Sequence, residues 1–291
     1  SILVLICMIM RMAQNRITEK NTYNLLGQKS ARIKDMNHPI IFDILSVIYL
    51  LILIIFSIGI PYFSIIATSL INLRGYGLQK GNFTTKHYIE LFENRSAAKR
   101  ALLTSFGLGI GTAIICAIIG TYIVVTLYKQ GKWRKYLENI AILPEMIPSI
   151  VFVIGLMIFW NKIYNIVPLY NTLGFMVLVY SVMYLPFTIQ YVSSAMMQIG
   201  DNILQAGKIS GASDGYIFRK ITLPLIAPSI SSAAMMTFII SFRELVASSI
   251  ISPPNVLTVS TFITSEFNQG SVSVGMAMAV ICVLITTTLL I

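Results

Sequence analysis

Residues 101–128 read ALLTSFGLGIGTAIICAIIGTYIVVTLY, a run of 28 positions without a charged side chain. The hydrocarbon of a bilayer takes about 20 apolar residues of helix, so the run is long enough to cross. It must do so as a helix, because a lipid-exposed segment satisfies its backbone internally and the run does not alternate with period two. Five further runs of crossing length lie near 43–71, 138–160, 169–192, 222–251 and 272–291. The fold class expected is an all-α integral membrane protein with six spans.

Composition agrees. Of 291 residues, 56% are hydrophobic and only 11% charged, against roughly 25% charged in a soluble domain. So few charges cannot clothe a water-soluble enzyme, and disordered, collagen-like and coiled-coil classes fall with it. The net charge of +10 does not point to nucleic acid. Its lysines and arginines sit in short segments between apolar runs, where they set topology, and the partner they imply is membrane lipid. Cys7, Cys116 and Cys282 lie within apolar runs and read as packing thiols. His38 and His87 fall outside the spans, so no intramembrane metal site is expected.

The basic residues fix an orientation. Thirteen of them, in 11–34, 129–135 and 208–220, fall on one side, and seven, from Arg74 to Lys162, on the other. The positive-inside rule makes the first side cytoplasmic, placing 11–40, 129–137 and 193–221 inside and 72–100, 161–168 and 252–271 outside. Ile2–Met10 is apolar but shorter than a span and has no basic flank before it. Residues 1–10 are therefore expected to end a preceding transmembrane helix, with 11–42 a cytoplasmic linker and 43–291 the transmembrane domain. Gly107, Gly109, Gly111 and Gly120 read as close helix contacts, and Pro144, Pro148 and Pro186 as interruptions of spans three and four.

One polar stretch has internal order. In 193–224 a short helix is expected over Asn202–Ser210, with Gly211 as its left-handed stop. Ser213 or Asp214 then caps a second short helix, Gly215–Lys220, and Pro224 stands in the first turn of span five. The result is two short helices joined by a glycine turn on the cytoplasmic face.

Here the chain resembles a family. Gln205-Ala206-Gly207, Gly211, Ile221 and Leu223-Pro224 keep the spacing of the EAA loop of binding-protein-dependent ABC transporter permeases, with Gln205 in place of Glu and Gly207 in place of the second Ala. Phe83-Thr84, Tyr88, Leu91-Phe92, the stretch Arg100 to Ser105, Leu143-Pro144, Pro148 and Leu185-Pro186-Phe187 fit the same core. Ser241-Phe242-Arg243-Glu244-Leu245 is similar to the ferric-iron permeases, in which one polypeptide carries two six-helix halves. The resemblance implies a MetI-like six-helix permease core in a bacterial inner membrane, importing ferric iron. Thiamine, phosphonate, polyamine and oxyanion importers share the plan. It also implies that the loop docks on a dimer of ATPase subunits, which bind ATP and Mg, and that a periplasmic or lipid-anchored solute-binding protein delivers the solute. A second permease half, the missing N-terminal half of the same polypeptide, completes the path. Gly27-Gln28-Lys29-Ser30 lacks the earlier glycine of a phosphate loop, so this chain is expected to be no enzyme and to hold no cofactor. An ion-coupled secondary transporter is the rival class.

The candidate path residues are the charges inside the spans, Glu145, Arg243 and Glu244, because ionisable groups at membrane depth face a bundle interior or a water path. At 1.5 Å per residue, a straight span three puts Glu145 about 10 Å deep, and a straight span five puts Arg243 roughly 28 Å along. No direct pair is expected. One of Arg243 and Glu244 is expected to line the outer mouth, since consecutive helical residues diverge by about 100°.

Overall fold

The computed structural model describes residues 40–93, 96–128, 134–199 and 201–290. The expected helix end at 1–10, nearly all of the 11–42 linker, and Gly27–Ser30 lie outside the described residues. The chain divides into two compact units, whose described parts are 104–256 and 40–103 with 257–290. Five helices are long and apolar enough to cross a membrane, and a bent pair would make a sixth.

In the second unit, α1 (Ile40–Leu70) is the first span, with a π-turn at Ile55–Gly59, and its apolar window buries nothing against the rest of the chain. Two helices follow in sequence: α2 (Lys86–Glu93), then α3 (Ser96–Tyr128), which continues into the other unit. Between α1 and α2 the buried Asn82 side chain accepts from Leu73 N–H at 2.9 Å and donates to the Leu73 and Gly77 carbonyls at 2.8 Å. That network folds the 72–85 segment on itself.

The first unit is built on α6. In order come α4 (Arg134–Met146), α5 (Ser149–Lys162) and α6 (Leu173–Gln198), then α7 (Asp201–Ile209), α8 (Asp214–Phe242) and α9 (Val246–Ile251). The Thr172 hydroxyl caps α6 by accepting from Phe175 N–H at 3.1 Å. Helices α4, α5, α8 and α9 all pack on α6. One apolar cluster joins Val153, Phe175, Val179 and Ile251, and another joins Val124, Ile142, Ile189 and Ile226.

Back in the second unit, α10 (Val259–Gln269) opens with a capping box between Thr258 and Thr261, and α11 (Val272–Leu290) packs on α1, α2 and α10. Buried Glu266 accepts from Ser271 N–H at 3.1 Å and so caps α11. Helices α2 and α10 occupy what the sequence reading treats as plain loops.

The interruption of span three expected at Pro148 is found, whereas Pro144 lies inside α4 and two further expectations about the spans are corrected. Span three is a bent pair: α4 and α5 meet at 101° across Ile147-Pro148, because a residue before proline is pushed out of the helical region. Pro186 interrupts nothing; α6 runs through it, held by packing along a largely buried helix. Span five begins at Asp214 rather than 222 and ends at Phe242, with α9 separate from it.

The small-residue contacts are selective. A Cβ on Gly109 would stand 2.9 Å from the Phe238 ring, and one on Gly120 only 2.7 Å from Thr188 Cγ2. Gly107 has open space around it and Gly111 only ordinary contact. Two of the four expected glycines therefore let helices approach.

Candidate coupling loop and transport path

Helix α7 ends in a glycine turn that satisfies its last carbonyls. Gly211 has φ +80°, and its N–H donates to Lys208 O at 3.0 Å while Ala212 N–H donates to Gly207 O at 3.1 Å. Those two bonds form a Schellman motif. Ser213 then caps the next helix, its hydroxyl accepting from Tyr216 N–H at 3.3 Å. Lys208 and Asp214 pair across the turn at 3.5 Å with both side chains exposed, a contact worth less than about 1 kcal/mol.

The expected second short helix, Gly215–Lys220, is corrected. Its residues are the first turns of α8, which passes through a π-turn at Phe218–Thr222 where Leu223 N–H reaches Phe218 O. Pro224 has no N–H to offer the preceding turn, and the widened turn accommodates it. The loop is thus one short helix folded back on the start of span five.

That geometry explains the motif spacing. A Cβ on Gly207 would lie 3.1 Å from Ile217 Cγ1 and 3.5 Å from Ile221 Cδ1. Ile217 and Ile221 are four residues apart on one face of α8, and the Gly211 turn brings that face against α7. Read from sequence alone, Gly207 looks like a helix-weakening substitution; in the structure it is a contact point. Gln205, Ala206, Leu223 and Pro224 lie toward solvent. Sequence reasoning missed two neighbours: Ile209 is 87% exposed and Tyr216 57%. An isoleucine placed just before the Ser210-Gly211 stop, beyond the apolar face of a short helix, is the signal that could have found it.

The three charged path residues are brought to two places. Glu145 sits at the end of α4, and its carboxylate accepts from the Gln190 amide of α6. Seven residues earlier Glu138 accepts from the Ser193 hydroxyl, also on α6. Arg243 and Glu244 lie in the break between α8 and α9, so the helical-wheel argument for their divergence does not apply; Arg243 caps α8 with φ −101°. Glu244 accepts from the Tyr184 hydroxyl of α6 and from Ala247 N–H at 2.9 Å. The α6 partners Tyr184 and Gln190 are six residues apart, about 9 Å along the axis.

Helices of this length and apolarity make the chain an integral membrane protein. The chain matches the family of binding-protein-dependent transport system inner membrane components over residues 109–291 and belongs to it. It is an ABC importer permease, a multi-pass protein of the inner membrane. It is 28% identical to the putative 2-aminoethylphosphonate transport system permease protein PhnV of Salmonella typhimurium, over 78% of this chain and 84% of that one. It is 29% identical to the spermidine/putrescine transport system permease protein PotC of Escherichia coli, over 67% of this chain and 72% of that one. In fold it is similar to a bacterial ABC transporter involved in import of the acidic polysaccharide alginate, with TM-score 0.67, 15% identity, and 85% and 92% of the two chains covered. The inward-facing MetNI methionine ABC transporter gives TM-score 0.56 at 18% identity, covering 66% of this chain and 90% of that one.

Proposed function

We propose that this chain forms one half of the membrane path of an ATP-driven importer for a small charged organic solute, and that residues 201–224 dock it to the ATPase. Gln205, Ala206, Gly207, Gly211, Ile221, Leu223 and Pro224 carry the docking element: Gly207, Gly211 and Ile221 shape the fold-back, Gln205 and Ala206 are exposed on α7, and Leu223-Pro224 follow the π-turn of the span that it moves. The observation that carries the reading is the exposed apolar pair Ile209 and Tyr216 on a rigidly stopped turn. Large apolar side chains on an otherwise polar face mark a protein interface. ATP and Mg belong to the partner ATPase, and a solute-binding protein delivers the solute.

For the solute, the relatives support the phosphonate and polyamine alternatives. Both 2-aminoethylphosphonate and putrescine carry a primary ammonium on a short alkyl chain. Ferric iron, read from Ser241–Leu245, draws no support from these relatives. Glu244, the acid of that stretch, is engaged by Tyr184 and Ala247, and among the described residues no three His, Cys, Asp or Glu side chains converge. The test is reconstitution of the assembled importer in liposomes with each solute. ATP-dependent accumulation of either amine supports the reading, and accumulation of ferric ion alone would return iron to first place.

A further inference from the structure

Within the first unit a cavity of about 1140 Å³ lies between α3, α7 and the start of α8. The spans make its wall apolar, with Ala117, Ile118 and Val125 from α3 and Leu223 and Ile230 from α8. Its charged groups, Lys208 and Asp214, come from the docking turn, and both side chains are exposed. Ile118 is 66% exposed and Tyr122 72%, so the wall is open along α3. The basic-residue bias sets this end of the spans at the cytoplasmic face.

The depth of the cavity says what fills it. On α3 it runs from Ala117 to Tyr128, about 16 Å of helix. One leaflet supplies half of a hydrocarbon core of about 30 Å, so the cavity is as long as one acyl layer. A water-soluble subunit seated on the turn does not reach that far into the spans. Moreover Ile209 and Tyr216, the apolar residues exposed for docking, are not among those that line it. The charges narrow the choice further. Lys208 and Asp214 set a cation and an anion 3.5 Å apart, and a phosphatidylethanolamine headgroup carries the matching pair, a phosphate and a primary ammonium on an ethyl link. The phosphate accepts from the Lys208 ammonium and the headgroup ammonium donates to the Asp214 carboxylate. Phosphatidylglycerol brings the phosphate alone.

We propose that this cavity binds an inner-leaflet phosphatidylethanolamine, with an acyl chain along α3 and the headgroup on the Lys208–Asp214 pair. The lipid fills the space between the docking turn and the spans, so that a displacement of α7 is passed to α3 and α8 rather than absorbed by the cavity. The inference is independent of the solute carried.

The experiment uses the permease assembled with its ATPase in nanodiscs of phosphatidylethanolamine and phosphatidylglycerol in equal parts. A trace of one lipid or the other carries a photoreactive diazirine on its acyl chain, and peptide mass spectrometry maps the adducts. Helix α1, whose apolar window buries nothing against the rest of the chain, gives the level of unselective lipid contact. Phosphatidylethanolamine should label 117–125 about fivefold above that level, the effect of one charged contact at the membrane surface, and phosphatidylglycerol should not. Ala117→Phe, which puts a ring into the cavity, should bring the labelling down to the α1 level while the ATPase stays bound. Asp214→Asn should remove the preference for phosphatidylethanolamine. Equal labelling of 117–125 by the two lipids in the wild-type protein would overturn the proposal, as would labelling no higher than that of α1. Labelling that appears only after the ATPase is stripped away would assign the cavity to that subunit and overturn it too. Each of these results leaves the importer reading standing, since solute accumulation tests that separately.

Discussion

Gly211 holds a φ of +80° with open space where a Cβ would stand, so a substitution there strains the backbone and nothing else. Gly211→Val should cost about 1–2 kcal/mol in the turn and melt the Schellman bonds that anchor α7. Membrane insertion should survive while the ATPase co-purifies weakly, a difference that quantitative pull-down against total membrane protein measures. Normal ATPase retention would remove the turn from the docking role. This residue was legible from sequence because a glycine after a short polar helix has one common use. Gly207 was not legible, since its neighbours Ile217 and Ile221 come from beyond the turn. Nor were the partners of Glu244: an acid in a predicted helix gives no sign that the helix breaks there and that Tyr184 lies across from it.

At the scale of elements, the close approach of α3 to α6 and α8 runs through Gly120 and Gly109. Gly120→Ala would place a methyl 2.7 Å from Thr188 Cγ2, a stiff β-branched side chain. It should destabilise the protein by about 1–3 kcal/mol, the usual cost of overpacking. Gly107→Ala meets open space and should gain up to about 1 kcal/mol from helix propensity. Thermal unfolding of the two variants in detergent checks both signs, and an unaffected Gly120→Ala protein would mean that α3 and α6 stand further apart. Span existence was readable because apolar length is a local property. Span shape was not: Pro148 bends its helix pair by 101° while Pro186 passes unnoticed in α6. The difference lies in burial, with Pro186 enclosed by neighbours and Pro148 exposed. The fifth span also starts eight residues earlier than its apolar run, since helix Asp214–Phe242 continues through Arg219 and Lys220 while hydropathy registers only the part in lipid.

For the whole molecule, the basic-residue bias puts 193–221 in the cytoplasm. Ser213 is exposed and Cys116 and Cys282 are buried. Ser213→Cys, in a background without Cys7, Cys116 and Cys282, should react with an impermeant thiol reagent only after cells are opened. Labelling of intact cells would invert the topology. The family and the helical membrane class were readable from residues spaced along the loop. The solute was not, because no local spacing in the sequence fixes which side chains from separate spans meet. The central claim is that the 201–224 element seats this permease on its ATPase, and Ile209 tests it most directly. Its side chain is 87% exposed, so Ile209→Asp cannot empty the core, yet it puts a charge where a partner's apolar groove must close. Measured by titrating the purified ATPase against the permease in nanodiscs, Ile209→Asp should weaken binding at least tenfold with the melting temperature unchanged. Wild-type affinity in that variant would contradict the account.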